Sequence, residues 1–270
     1  MLNYTQLKMI NQGNTAEIFQ IDDKKILKLY RSGLPFPLCE KEFENTRIAK
    51  KLIGNVPLVY ELIKDNDRCG IVFQKITGKD MITVIAQNIW QIKRQAKNLA
   101  KFHFDMQKEN SEHLQTVKEK LLADIETVEC LSKEEKHKLF DYINALSDGN
   151  ALCHFDYHPG NIIISSNKPI IIDWMTACIG CKCADIARTG ILLKYGQMTQ
   201  GNLIIRKLVP IVQKHIYKIY IYEYKKISGT LQEDIDVWEL PILAARLREW
   251  ISEKEKSLIL YKIREQLRKL

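Results

Sequence analysis

The sequence predicts an α+β chain of two lobes: a small antiparallel β-sheet with one helix over residues 1–77, and a mostly helical part over residues 78–270. Three observations carry this. Short β-rich runs separated by polar turns fill the amino-terminal part, and stretches of helical period dominate the rest of the chain. The composition also permits a packed core, since 46% of the 270 residues are hydrophobic, with 4 Trp, 11 Tyr and 8 Phe. Collagen-like and low-complexity classes are excluded, and with only 12 Gly and 7 Pro, turns are sparse, while the many Leu, Ile, Lys and Glu favour helix over an all-β sandwich. The length suits one large domain or two apposed lobes, and no internal repeat is visible.

Taken in order, Ala16 to Ile21 and Ile26 to Tyr30 are short strands joined by the turn Asp22-Asp23-Lys24-Lys25. Leu38 to Ile53 carries Phe43, Ile48, Ala49 and Leu52 at the spacing of a one-faced helix, which Gly54 ends. Val56 to Ile63 and Cys69 to Ile76 are two further strands around a polar turn, and Thr77-Gly78 closes the lobe. Helices are expected at about 89–109, 113–129 and 132–147, the last opened by the capping box Ser132-Lys-Glu-Glu135. Ile162 to Ile164 and Ile170 to Ile172 then read as a β-hairpin flanked by loops rich in His, Asp, Asn and Cys, and residues 183–270 as three or four more helices.

The formal charge is 41 − 33 = +8. Lys and Glu are interspersed, with no block of like charge and no basic stripe interleaved with aromatics, so nucleic acid is not an expected partner. Seven cysteines, an odd number, and a start lacking an export segment point to a reduced, cytoplasmic setting. No apolar run approaches the ~20 residues of a membrane helix.

The chemistry concentrates in His154-Phe-Asp-Tyr-His-Pro-Gly-Asn161 and in Asp173 at the end of an apolar strand. Asp, Asn five residues later and a strand-terminal Asp form the spacing with which kinases present a catalytic carboxylate and two magnesium ligands. Mg2+ takes oxygen donors, and Asn161, Asp173 and a nucleotide would supply them. Asp156 would orient the acceptor hydroxyl and take its proton. In the amino-terminal lobe, Lys28 lies inside the apolar strand Ile26-Leu-Lys-Leu-Tyr30, where a buried ammonium needs phosphate or a carboxylate from the next helix. Glu44 is the first choice of partner, with Glu42 and Glu40 as alternatives on the same helix turns. Gln12-Gly-Asn-Thr-Ala-Glu17, with Gly13 and Asn14, is placed to cover phosphate.

These residues carry a resemblance. Gly13-Asn-Thr-Ala-Glu-Ile-Phe19, Ile26-Leu-Lys-Leu-Tyr30, Leu152 to Asn161, Ile171-Ile-Asp-Trp174 and Ala184-Asp-Ile-Ala-Arg188, in this order and over most of the chain, resemble the aminoglycoside phosphotransferase and choline kinase group, relatives of the protein kinase fold. The resemblance implies a protein-kinase-like fold and transfer of phosphate from ATP, with GTP not excluded. It also implies Asp156 as catalytic base, Asn161 and Asp173 as metal ligands, and Lys28 with Glu44 as the phosphate-holding pair. Phe73, Gln74, Lys75 and Ile76 become the segment that meets adenine, and Asp185 a brace for the catalytic loop. Two departures stand out: Phe155 occupies a position usually held by Gly, where φ > 0 strains a Phe, and Gly180-Cys-Lys-Cys183 replaces a Gly-Asp-Pro turn.

Only twelve positions separate Asp173 from Asp185 and no Ala-Pro-Glu comes after, so a small-molecule hydroxyl acceptor is favoured over a peptide. Glu233-Asp-Ile-Asp-Val-Trp-Glu239 is a candidate for a cationic acceptor through its acids and indole. Cys178, Cys181 and Cys183 read as small thiols rather than a zinc knot, His158 as a loop brace, and His103 as a core histidine on a helix. The expected molecule is a monomer or weak homodimer, with a non-catalytic nucleotide-binding pseudokinase and a basic RNA- or DNA-associated protein as the rival readings.

Overall fold

The structure is a computed structural model describing residues 6–13, 15–65, 67–109, 113–165, 168–196 and 203–270. Its elements in chain order are β1 (Lys8–Gln12), β2 (Ala16–Gln20), β3 (Lys25–Tyr30), α1 (Phe36–Ile53), β4 (Val59–Asp65), β5 (Arg68–Gln74), β6 (Lys79–Asp80), α2 (Met81–Gln87), α3 (Ile92–Met106), α4 (Val117–Glu126) and α5 (Lys133–Ala145). The chain continues through β7 (Ala151–Cys153), β8 (Ile162–Ile164), β9 (Pro169–Ile171), β10 (Cys178–Gly180), α6 (Lys182–Tyr195), α7 (Leu203–Ser228), α8 (Gln232–Asp236), α9 (Glu239–Arg246) and α10 (Glu253–Leu267). It forms two compact units, one of residues 1–87 with 159–176, the other of 88–158 with 177–270. This differs from a single cut near residue 77. The reason is pairing: β8 lies antiparallel to β6, with Lys79 opposite Ile164, and so carries the Ile-rich hairpin β8–β9 into the first unit.

The first unit is built on an antiparallel five-stranded sheet of order β1-β2-β3-β5-β4. The β2–β3 turn forms because Asp22 accepts from the N–H groups of Lys24 and Lys25 at 2.7 and 2.8 Å. Strand alternation sorts β3: Leu27 and Leu29 pack with Val72 on one face, while Tyr30 joins Cys39, Ile71 and Phe73 on the other, with Ile26 against them. Lys28 shares that second face. Helix α1 follows the N-cap Pro35, carries Pro37 in its first turn, where proline is tolerated, and stops at Gly54, whose φ of +72° suits a residue without Cβ.

In the second unit, α4 and α5 both start with capping boxes, Thr116 with Glu119 and Ser132 with Glu135. Helices α3 and α7 pack on each other, and β7 pairs with β10. Gly180 is needed here, because a Cβ on it would lie 2.6 Å from Cγ2 of Val117. Residues 183–270 hold five helices among the described residues, one more than the upper expectation; α8 spans only five residues, too few for periodicity to reveal. No helix of the described residues is long and apolar enough to cross a membrane.

Candidate active site

In the first unit, Lys28 reaches from β3 to α1, its Nζ donating to Oε1 of Glu42 at 2.7 Å and to Oε2 at 3.0 Å. It also donates to Oδ1 of Asp173 at 3.2 Å. Glu42 is 1% exposed, receives the Tyr30 hydroxyl as a further donor, and its carbonyl accepts from Thr46 Oγ1. Burial raises the Glu42 carboxyl to about 7 against the pull of Lys28. Burial by itself would lower the Lys28 ammonium, but Asp173 and Glu42 more than reverse this and hold it above its usual value. The expected partner Glu44 is corrected: it faces outward and pairs with Arg47 at 3.0 Å, both side chains more than half exposed. The buried stripe of α1 is Cys39, Glu42, Asn45, Thr46 and Ala49. The spacing 39, 42, 46, 49 is the signal that places Glu42 inside; the apolar residues Phe43, Ile48 and Leu52 are only half-buried.

The β8–β9 hairpin supplies the oxygen donors. Ile162 faces Ile171, and beyond that pair Ile172 N–H donates to the Asn161 carbonyl at 3.0 Å, so Asn161 and Asp173 leave the same end of the hairpin. Asp173 turns out of the strand at φ +67°, a conformation Asp tolerates better than most residues. Neighbours fix that turn: Trp174 Nε1 donates to Ile171 O at 3.0 Å, and Asn45 Nδ2 of α1 donates to Trp174 O at 3.0 Å. Within the Lys28, Glu42 and Asp173 set one cation serves two acids. A buried amide and a half-exposed carboxylate next to such a set match the hard-oxygen chemistry of Mg2+.

In the second unit, the segment His154 to His158 is held from below by α6. Asp185, fully buried in the first turn of that helix, accepts from His154 N–H at 2.9 Å and Phe155 N–H at 2.8 Å. His103 Nε2 on α3 lies 2.9 Å from the same carboxylate. Burial alone would raise the Asp185 carboxyl, but His103 and His154 hold it below its usual value. Phe155 has φ +63°, the left-handed conformation its position demands. The strain is borne by the Asp185 bond on one side and Arg188 Nε donating to Phe155 O at 3.1 Å on the other. Thr189 Oγ1 secures Tyr157 O at 2.9 Å. Asp156 thus sits on a loop whose neighbours are tied to α6; its own N–H donates to His154 Nδ1 at 3.3 Å, and His158 Nε2 stands 3.8 Å from its carboxylate.

Gly13 N–H donates to Ala16 O at 2.8 Å, making the tight β1–β2 turn, while Asn14 lies outside the described residues. Phe73 is a core side chain of the sheet. Gln74 N–H and Lys75 N–H already donate to Leu58 O and Lys24 O, at 2.8 and 2.7 Å, and Ile76 is half-buried. Trp238 is 1% exposed, which removes the cation–π role considered for residues 233–239: that indole is part of the core. Cys178 faces Cys153 across β10–β7, and Cys181 is the N-cap of α6. Tyr30 and Asn45 were not anticipated as supports, because each acts on a residue distant in sequence, and no fixed offset announces such a contact.

Known proteins resemble this chain in sequence and in fold. Residues 6–205 match the APH profile, described as the phosphotransferase enzyme family. A Protein LicA homolog of Mycoplasma capricolum subsp. capricolum is 29% identical over 180 residues, 66% of this chain and 69% of that protein. Choline kinase LicA from Streptococcus pneumoniae superposes with a TM-score of 0.62 at 14% identity, covering 98% of this chain and 94% of the other. A thermostable mutant of aminoglycoside phosphotransferase APH(4)-Ia, in a ternary complex with AMP-PNP and hygromycin B, gives 0.64 at 10% identity, covering 98% and 93%. These structures share the two-part kinase-like fold. The profile match across most of the chain, joined to the Lys28, Asp156, Asn161 and Asp173 pattern, makes this protein a member of the phosphotransferase enzyme family of small-molecule kinases.

Proposed function

We propose that this kinase moves the γ-phosphoryl group of ATP to a hydroxyl of a small molecule, with Asp156 as the base. The observation that carries the reading is the Lys28–Glu42 pair at 2.7 Å joined to Asp173: an ammonium fixed on a central strand by a helix carboxylate, beside a strand-end acid. Lys28 would hold phosphate oxygens, and Glu42 keeps its head from swinging into water. Asn161 and Asp173 would hold Mg2+, which when bound neutralises phosphate charge. Asp156 aligns the acceptor oxygen and receives its proton as the O–P bond forms, while ADP leaves with the electrons of the broken bond. The Gly13 turn would cover phosphates, and the segment Phe73 to Ile76 would meet the purine.

Two acceptor classes are the first to test: amino alcohols, because one structural relative is named a choline kinase, and aminoglycosides, because another is named an aminoglycoside phosphotransferase. A screen of amino alcohols, aminoglycosides and simple sugars for acceptor-stimulated ADP release, with ATP and GTP in parallel, tests the reading. Turnover with at least one acceptor is expected, and Asp156→Asn should lower kcat by about 10²–10⁴-fold. Nucleotide binding without turnover for any acceptor, and identical behaviour of the Asp156→Asn protein, would establish the pseudokinase instead.

A further inference from the structure

Beneath Asp185 lies a second layer of polar groups. His103 of α3 is fully buried and uses both ring nitrogens: Nε2 faces Asp185 at 2.9 Å, with Gln107 Nε2, a donor to Lys182 O, 3.3 Å away, and Nδ1 faces the Tyr220 hydroxyl of α7 at 2.6 Å. The ring is clamped by stacking on Tyr157, centroids 4.1 Å apart. Tyr157 is itself tethered to Leu99 O at 2.9 Å. Tyr220 is fully buried, and burial pushes its phenol well above the usual range, so it keeps its hydrogen. Thr189, also close to the Tyr220 hydroxyl, gives its own hydrogen to Tyr157 O.

The direction of each bond is dictated by what Asp185 needs. Its carboxylate can only accept, so the nitrogen facing it must carry hydrogen. In an imidazole with one N–H, Nδ1 is then the acceptor, and the group 2.6 Å from it is a phenol holding a hydrogen to give. The Tyr220 hydroxyl, able to donate as well as accept, therefore donates to Nδ1 and complements the Nε2–H tautomer that Asp185 demands. Asp185 in turn holds the N–H groups of His154 and Phe155, the second of which is kept in a left-handed conformation.

We infer that Tyr220 is a positioning residue for phosphotransfer: by donating to Nδ1 of His103 it anchors the ring against Asp185, and through it the backbone on which Asp156 is carried. The inference rests on the reading of Asp156 as the base. Helix α7, which contributes no residue to the 154–158 segment, thereby acquires a role in the geometry of that segment.

The test uses the full chain labelled with 15N-histidine and 15N-phenylalanine, in wild type, Tyr220→Phe and Tyr217→Phe forms. Tyr217 also lies on α7 but faces Lys194, whose ammonium is 4.7 Å from its ring. In the wild type, the His103 resonances should be those of an Nε2–H imidazole. Tyr220→Phe should shift the Nδ1 resonance and speed exchange of the His154 and Phe155 amides about tenfold. It should lower kcat about tenfold with nucleotide KM unchanged, the scale of losing one buried hydrogen bond between neutral groups. Tyr217→Phe should leave all three readouts as they were. A wild-type His103 protonated on Nδ1 or on both nitrogens overturns the inference without any variant. So does a Tyr220→Phe protein whose amide exchange and kcat match the wild type, or whose kcat and KM change together with loss of stability alone. If no acceptor is turned over by the wild type, the functional reading falls while the resonance and exchange measurements still decide the role of Tyr220.

Discussion

Replacing Phe155 by Gly and, separately, by Ala isolates the backbone strain in the catalytic loop. Phe155 is 4% exposed, so truncation to Ala removes a packed ring at a cost of about 3–5 kcal/mol. Its φ of +63° adds a second quantity. A left-handed residue with a Cβ is disfavoured by roughly 1–2 kcal/mol; Ala keeps that penalty and Gly sheds it. Against the relief stands the greater chain entropy of Gly in the unfolded state, about 0.5–1 kcal/mol relative to Ala. The balance leaves Phe155→Gly the more stable of the two by up to about 1.5 kcal/mol, although it has lost more atoms. At an ordinary position the order is reversed.

Urea unfolding followed by tryptophan fluorescence reads the difference directly, since both variants expose nearly the same surface and should share a slope. Activity adds a check. Phe155→Gly retains the N–H that Asp185 accepts, so its kcat should stay within about tenfold of wild type, far above that of Asp156→Asn. Should Ala prove the more stable replacement, the loop is not held in a left-handed turn and the strain argument fails.

The buried pair in the first unit yields a pH prediction. With its carboxyl raised to about 7 in the folded protein, Glu42 favours folding in its protonated form, so that contribution is full below its ordinary value of 4.5 and is lost as pH rises through 7. Glu42→Gln removes this dependence, so the wild type should lose urea resistance relative to the variant between about pH 4.5 and 7; the opposite slope would show that Lys28 fully neutralises the acid. Asp185→Asn leaves the donors of His103, His154 and Phe155 facing an amide and should cost about 3–5 kcal/mol at neutral pH, measured by the same unfolding curves. Gly180→Ala would set a methyl 2.6 Å from Val117 Cγ2 and should destabilise by about 1–3 kcal/mol, visible as a lower thermal midpoint, with Ser at that position no better.

The parts of the fold that were legible share one property: the determining interactions are local. The β2 and β3 strands, the capping box at Ser132 and the β8–β9 hairpin are all set by residues within a few positions of each other. The chemical groups of the loop were legible for the same reason, since Asp156 and Asn161 lie five residues apart. Where a partner is chosen across the chain, the pattern fell short. The hairpin's pairing with β6 and the burial of Trp238 are decided by packing that no short window contains. Tyr220 meets His103 across 117 positions, and nothing in either segment marks the other.

Glu42 and Glu44 show how narrow the margin is. Two steps along a helix of about 3.6 residues per turn rotate a side chain by about 200°, so the two acids point to nearly opposite sides. Phe43 and Ile48 invite a choice of face that turns Glu44 inward, yet the buried stripe runs through Cys39, Thr46 and Ala49. Small residues win that face because β3 sends Lys28 and Tyr30 toward it, and two long polar side chains need room that a bulky apolar residue on α1 would fill. The orientation of the helix is thus set by the acid it must deliver to the strand as much as by its apolar residues, and a hydrophobic pattern read by itself selects the wrong acid where a helix buries a charge for chemical use.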